Sequence, residues 1–155
     1  IANLRYRPML GDGVNQFLLN AAKSGRIAYV YRPYYFSETF KEDEVIARCV
    51  PQNRFFDFVN YINTNKSFWV GRDDPTGYFE KAAQLFGANP ACYEDAQTIE
   101  EVEVLRDEAL NELNITRVST YVYRGIRWYG DLTFKGLETF IKQVDAYRQN
   151  NRSAQ

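Results

Sequence analysis

RVSTYVYRGIRWYGDLTFKGLETFIKQV, running from Arg117 to Val144, reads as two short strands, a tight turn and a helix. Thr120 to Tyr123 and Ile126 to Tyr129 are rich in aromatic and β-branched residues, which suit a pleated backbone. Arg124 and Gly125 between them fit a two-residue hairpin connection. Thr133 stands where a helix N-cap belongs, and Leu137, Phe140, Ile141 and Val144 recur at the spacing of one helix face. The pattern predicts a last helix followed by a frayed polar tail over about 148–155.

Upstream, the chain alternates helical and β-like patterns. Val14, Phe17, Leu18 and Ala21 form an i, i+3, i+4, i+7 stripe that stops at Ser24 and Gly25, the mark of an amphipathic helix with a glycine end. Ile27 to Tyr31 follows as a compact β-rich run, expected as a strand buried on both faces and closed by Arg32 and Pro33. Helical segments are predicted over Glu42 to Val50, Arg54 to Asn63 and Pro75 to Phe86, with a short helix around Cys92 opened by Asn89 and Pro90. A longer helix carries Val102, Leu105, Ala109 and Leu113 on one face, and Thr98 with Glu101 has the spacing of a capping box. No internal repeat or low-complexity linker interrupts the 155 residues, which are expected to form one domain over 1–155 with a helical insertion over about 38–96.

Composition removes several kinds of function. Lys and Arg (19) nearly balance Asp and Glu (20), so no net field draws the chain to nucleic acid. Histidine is absent, which excludes serine-histidine and cysteine-histidine catalysis and the commonest metal ligand. No apolar run has the length to cross a bilayer. Acidic clusters at Glu42, Asp43 and Glu44, at Asp73 and Asp74, and at Glu100, Glu101 and Glu103 are read as helix starts, where negative charge is favourable. The first residue is Ile1 rather than Met, which leads us to expect that a targeting segment was removed or that the chain begins late. No metal site and no cofactor are expected.

Several stretches, taken in order, resemble DsbA-like thiol-disulfide oxidoreductases: SGRIAYVYRPYYF (Ser24 to Phe36), IARCVPQNRFFDFVNYI (Ile46 to Ile62), KSFW (Lys66 to Trp69), AAQLFGANPACYED (Ala82 to Asp95) and GDLTFKGLETFIKQV (Gly130 to Val144). The resemblance implies an α/β, thioredoxin-like fold with an inserted α-helical subdomain. Its reactive parts are missing: the window where the family carries Cys-x-x-Cys, between Asn3 and Val14, has no cysteine, and Ser119 stands where the family has a cis-proline. The Val118–Ser119 bond is therefore expected to be trans, because a cis bond is costly without proline.

The resemblance also implies a structural disulfide between Cys49 and Cys92, which some family members carry; the other reading is two buried free thiols. The implied function is a pseudoenzyme: a non-catalytic protein-binding or scaffolding module, an accessory subunit of a larger, membrane-associated assembly, in the periplasm, another oxidising compartment or the mitochondrion. Val118, Ser119 and Thr120, faced by Tyr6, Arg7 and Pro8, are the expected binding surface. Tyr31, Tyr34, Tyr35 and Phe36, with Tyr121, Tyr123, Trp128 and Tyr129, are candidates for a second interface. The alternatives are an active oxidoreductase whose cysteine pair lies upstream of Ile1, and a folding helper that binds unfolded chains without redox action.

Overall fold

A computed structural model describes residues 14–130 and 132–152. These divide into two compact units, residues 32–116 and residues 14–31 with 117–152.

The first of these units is helical. It contains α2 (Glu38–Arg48), α3 (Phe55–Thr64), α4 (Thr76–Leu85) and α5 (Ala96–Asp107), whereas α1 (Val14–Lys23) belongs to the other unit. The core brings Ile46, Phe58, Ile62, Trp69, Phe79 and Ala83 together. Apolar spacing explains each contribution: α4 buries Phe79, Ala82 and Ala83, an i, i+3, i+4 stripe. Trp69 enters this core with its one polar atom satisfied, the indole Nε1 donating to the Ile62 carbonyl at 3.0 Å. Cys49, just past α2, is bonded to Cys92 in the Pro90–Glu94 turn, with the two Cα atoms 5.8 Å apart.

The other unit holds α1, the strands β1 (Thr120–Tyr123) and β2 (Ile126–Tyr129), and α6 (Phe134–Arg152). The strands pair antiparallel, with Tyr121 opposite Trp128 and Tyr123 opposite Ile126. Arg124 and Gly125 have φ of 50° and 82°, the left-handed pair that a type I′ hairpin turn requires. Val14, Leu18, Leu132, Leu137, Phe140 and Val144 form the core. Helix α1 ends as its glycine foretells: Gly25 has φ of 72°, and the Arg26 and Gly25 amides donate to the Ala21 and Ala22 carbonyls. Helix α6 starts on Thr133, whose hydroxyl accepts from the Gly136 amide at 3.1 Å. Thr133→Ala should lower stability by about 1 kcal/mol, read as a urea midpoint shift at constant slope.

The α/β expectation is corrected. The described residues form a mostly helical protein with six α-helices and one two-stranded antiparallel hairpin; the thioredoxin β-sheet is not there. The run Ile27 to Tyr31 is neither helix nor strand, and it is not buried on both faces: Ile27, Tyr29 and Tyr31 are half-buried, while Ala28 and Val30 are exposed, Val30 by 61%. β-rich composition favours a backbone shape, but a sheet needs a partner ladder, which composition does not supply. The stretch Ile1 to Tyr6, where the resembling fold would have to build its first strand if it has one, lies outside the described residues. The Val118–Ser119 peptide bond, expected trans, is cis.

Smaller corrections concern helix ends. Helix α2 begins four residues before the acidic cluster, capped by Ser37, whose hydroxyl accepts from the Phe40 amide. Asp43 and Glu44 therefore sit in mid-helix, buried, and Asp43 accepts from the Thr76 hydroxyl at 3.3 Å. Asp95, not Thr98, caps α5, taking both the amide and the hydroxyl proton of Thr98 at 2.8 Å. Beyond Asp107 the helix widens into a π-helical turn over Glu108–Glu112; of the expected face, Val102 and Ala109 are buried and Leu105 and Leu113 half-buried. The tail expected to fray from about 148 remains helical to Arg152; residues 153–155 lie outside the described residues.

One half-buried tyrosine, its hydroxyl withdrawn from water, gives the fold a pH dependence. Burial pushes the Tyr29 hydroxyl up from 10.0 to about 12. The folded chain then holds this proton where the unfolded chain has released it, so the contribution is complete below pH 10 and falls away as pH rises toward 12. Tyr29→Phe should flatten the loss of stability between those values, measured as urea midpoints along an alkaline titration. An unchanged slope would assign the alkaline loss elsewhere.

Candidate functional site

The hairpin and α6 together make an apolar surface open to solvent. In β2 every residue is exposed: Ile126 by 41%, Trp128 by 40% and Tyr129 by 47%. Strand alternation puts Ile126 and Trp128 on the side facing α6, where the Trp128 ring meets Phe140 at 5.9 Å between centroids. Their β1 partners Tyr121 and Tyr123 pack against the core on the same side. The Tyr123 hydroxyl donates to Asp145 of α6 at 3.1 Å, which fixes the helix against the hairpin. At the turn, Arg148 donates to the Arg124 carbonyl at 2.7 Å. Tyr147, one helical turn beyond Val144, remains 60% exposed.

Two depressions flank Trp128. One, of about 340 Å³, runs between Ile126, Trp128, Val144 and Tyr147. The other, of about 400 Å³, lies between Trp128, Thr133, Gly136 and Thr139. Arg127 lines the first and Lys135 the second, and no carboxylate lines either. The surface is thus apolar with a cationic border.

That border belongs to a wider segregation of charge. Residues 32–116 contain eight Lys and Arg against sixteen Asp and Glu, whereas residues 117–152 contain seven against three. Near neutrality of the chain is a sum of opposites, and the balance read from composition conceals it. The acidic unit has its own groove of about 710 Å³, lined by Glu38, Glu42, Glu80 and Glu94 with Val45 and Tyr93. Lys41, which also lines it, is engaged by Glu38 at 2.6 Å and Glu103 at 3.0 Å, and these hydrogen bonds hold its ammonium above the usual lysine range.

The residues singled out from sequence fall as follows. Val118 is half-exposed, while Ser119 and Thr120 are buried, and the Thr120 hydroxyl donates to the Arg117 carbonyl. Tyr6, Arg7 and Pro8 lie outside the described residues. Cys49 and Cys92 are joined, so neither offers a thiolate. Of the aromatic candidates, Tyr34 is buried, Tyr31 and Tyr35 are half-buried, and Phe36, Trp128 and Tyr129 are exposed. Ile126 and Tyr147 complete the surface and went unnoticed in the sequence. The signal for Ile126 was its period-two relation to Trp128; for Tyr147 it was the step of three from Val144 along α6.

These features define a disulfide-bonded, mostly helical protein with a solvent-facing hairpin. No family model, no curated protein and no solved structure matches the chain.

Proposed function

We propose that this chain is a non-catalytic protein-binding module, an accessory subunit of a larger assembly in an oxidising compartment. The observation that carries the reading is the exposed apolar surface of Ile126, Trp128 and Tyr147 with its paired depressions. Contiguous apolar surface of this kind marks interaction sites, and Trp and Tyr are the residues most enriched where binding energy concentrates. The Cys49–Cys92 bond supports the compartment, since such bonds persist where thiols are not kept reduced. Absence of histidine and of a free thiol among the described residues leaves surface recognition better supported than chemistry.

The test compares Trp128→Ala with Leu85→Ser, a change at an exposed leucine of the other unit. Purification from the native source under oxidising conditions should bring down a stoichiometric partner that Trp128→Ala loses and Leu85→Ser keeps. Equal retention by both variants would remove this surface from the reading.

A further inference from the structure

Among the described residues neither long edge of the two-stranded hairpin has a strand partner, and the pattern of hydrogen bonds says which groups of β2 are left over. In an antiparallel pair, residues that exchange hydrogen bonds alternate with residues that do not. The Gly130 amide donates to the Ser119 carbonyl at 2.9 Å, which sets the phase. Bonded pairs are then Ser119 with Gly130, Tyr121 with Trp128 and Tyr123 with Ile126. The main-chain N–H and C=O groups of Arg127 and Tyr129 point away from β1, and no described residue takes them. Proteins normally cover such an edge, shorten it or charge it, because it is a template for another strand.

Here the edge lies directly beside the depressions that flank Trp128. A third strand laid along β2 would hydrogen-bond to Arg127 and Tyr129 and send every second side chain toward α6, into the depressions at Ile126, Trp128 and Tyr147. Main-chain bonds would supply affinity and the depressions would select apolar side chains at alternate positions. Arg127 lines the depression beside this track and its side chain falls on the face of the intervening positions, so those positions suit Asp and Glu, whereas Arg124 is already engaged by Asp145 at 3.3 Å. Arg127 also disfavours a second copy as the occupant: two β2 edges paired through their outward Arg127 and Tyr129 groups would bring the Arg127 side chains of both chains opposite or diagonal to each other on one face, and like charges across strands are destabilising.

Resting on the protein-binding reading above, we infer that the partner contributes an extended segment of alternating apolar and acidic residues, added as a third strand at the outer edge of β2.

The probe is a synthetic heptapeptide, acetyl-Asp-Val-Thr-Val-Glu-Val-Asp-amide, with a version N-methylated at alternate residues and a version bearing Lys in place of each acid. Binding is followed by fluorescence anisotropy, and amide hydrogen exchange by NMR. The acidic peptide should bind and slow exchange at the Arg127 and Tyr129 amides specifically. N-methylation should weaken it by about tenfold or more, because donors to the edge are lost. Arg127→Pro should abolish binding; proline is tolerated on strand edges, and a circular-dichroism spectrum matching the parent's checks that the hairpin survives. Arg127→Glu, which keeps the main-chain donor, should shift preference toward the Lys peptide.

Equal binding of parent and N-methylated peptides would overturn strand addition while leaving the apolar surface as a docking site. Failure of every peptide would overturn it as well, and the protein-binding reading would then stand or fall on the Trp128→Ala purification. Concentration-dependent dimers that protect the Arg127 amide without peptide would replace the partner segment with a second copy.

Discussion

Phe79→Ala is expected to lower the unfolding free energy by about 3–5 kcal/mol, the range for truncating a buried aromatic. Phe79 is completely buried, and its ring meets Trp69 edge-on at 5.2 Å between centroids. Its neighbours on the buried face of α4 are Ala82 and Ala83, whose single methyl groups cannot swing into the vacated space. The cavity would therefore persist, which places the effect toward the upper end of the range. Trp69 is the convenient reporter, since it lies in this core and the only other tryptophan is Trp128 in the other unit. In a Trp128→Phe background, guanidinium unfolding read by Trp69 fluorescence should show the loss, while Leu85→Ala on the exposed side of α4 should stay within about 0.5 kcal/mol of the parent. A Phe79→Ala loss under about 1 kcal/mol would mean that this cluster is not the core described.

What the sequence made legible was local. The hairpin is legible because its determinants are adjacent: two aromatic-rich tetrapeptides and an Arg-Gly pair able to take φ of 50° and 82°. Helices α1 and α6 are legible because a glycine stop and a threonine cap bracket periodic apolar residues. Strand pairing is not local, and Ile27 to Tyr31 shows the consequence, a β-like composition outside any described sheet. The collinear segments that suggested a thioredoxin-like sheet shared helical stretches and this run, and neither specifies a ladder. Helix α2 shows a second limit. Placing its start at Glu42 rather than at the Ser37 cap turned two buried mid-helix carboxylates, Asp43 and Glu44, into first-turn ones.

The candidate surface was half legible for a related reason. Trp128 and Tyr129 stood out as aromatic, but so did Tyr121 and Tyr123, which face the core. Period two divides a strand into two sides without saying which one a helix covers; only the packing of Trp128 on Phe140 settles that. Charge behaves similarly. A chain with a net charge of -1 gives no hint that acidic and basic residues are sorted between 32–116 and 117–152 until the units are drawn.

Removing the Cys49–Cys92 bond is expected to cost about 4 kcal/mol, from the loop-closure entropy of the unfolded chain. The bonded residues are separated by 43 positions, so the cross-link closes a loop that runs from the end of α2 to the Pro90–Glu94 turn and contains α3 and α4. Both cysteines are only half-buried, so little of the loss should come from packing. The cross-link acts mainly on the unfolded state, which gives the effect a second signature: without it the denatured chain is more expanded, and the dependence of stability on denaturant should steepen. Three forms separate the contributions, namely the oxidised parent, the parent in reductant and a Cys49→Ala, Cys92→Ala double variant. The last two should agree closely and fall together below the first. Intact-mass measurement after iodoacetamide supplies the chemical control, with no adduct before reduction and two after it. Should the reduced and oxidised chains unfold at the same denaturant concentration, the cross-link would contribute nothing to stability; two adducts before reduction would mean that the bond does not form, and the case for an oxidising compartment would lose its structural support.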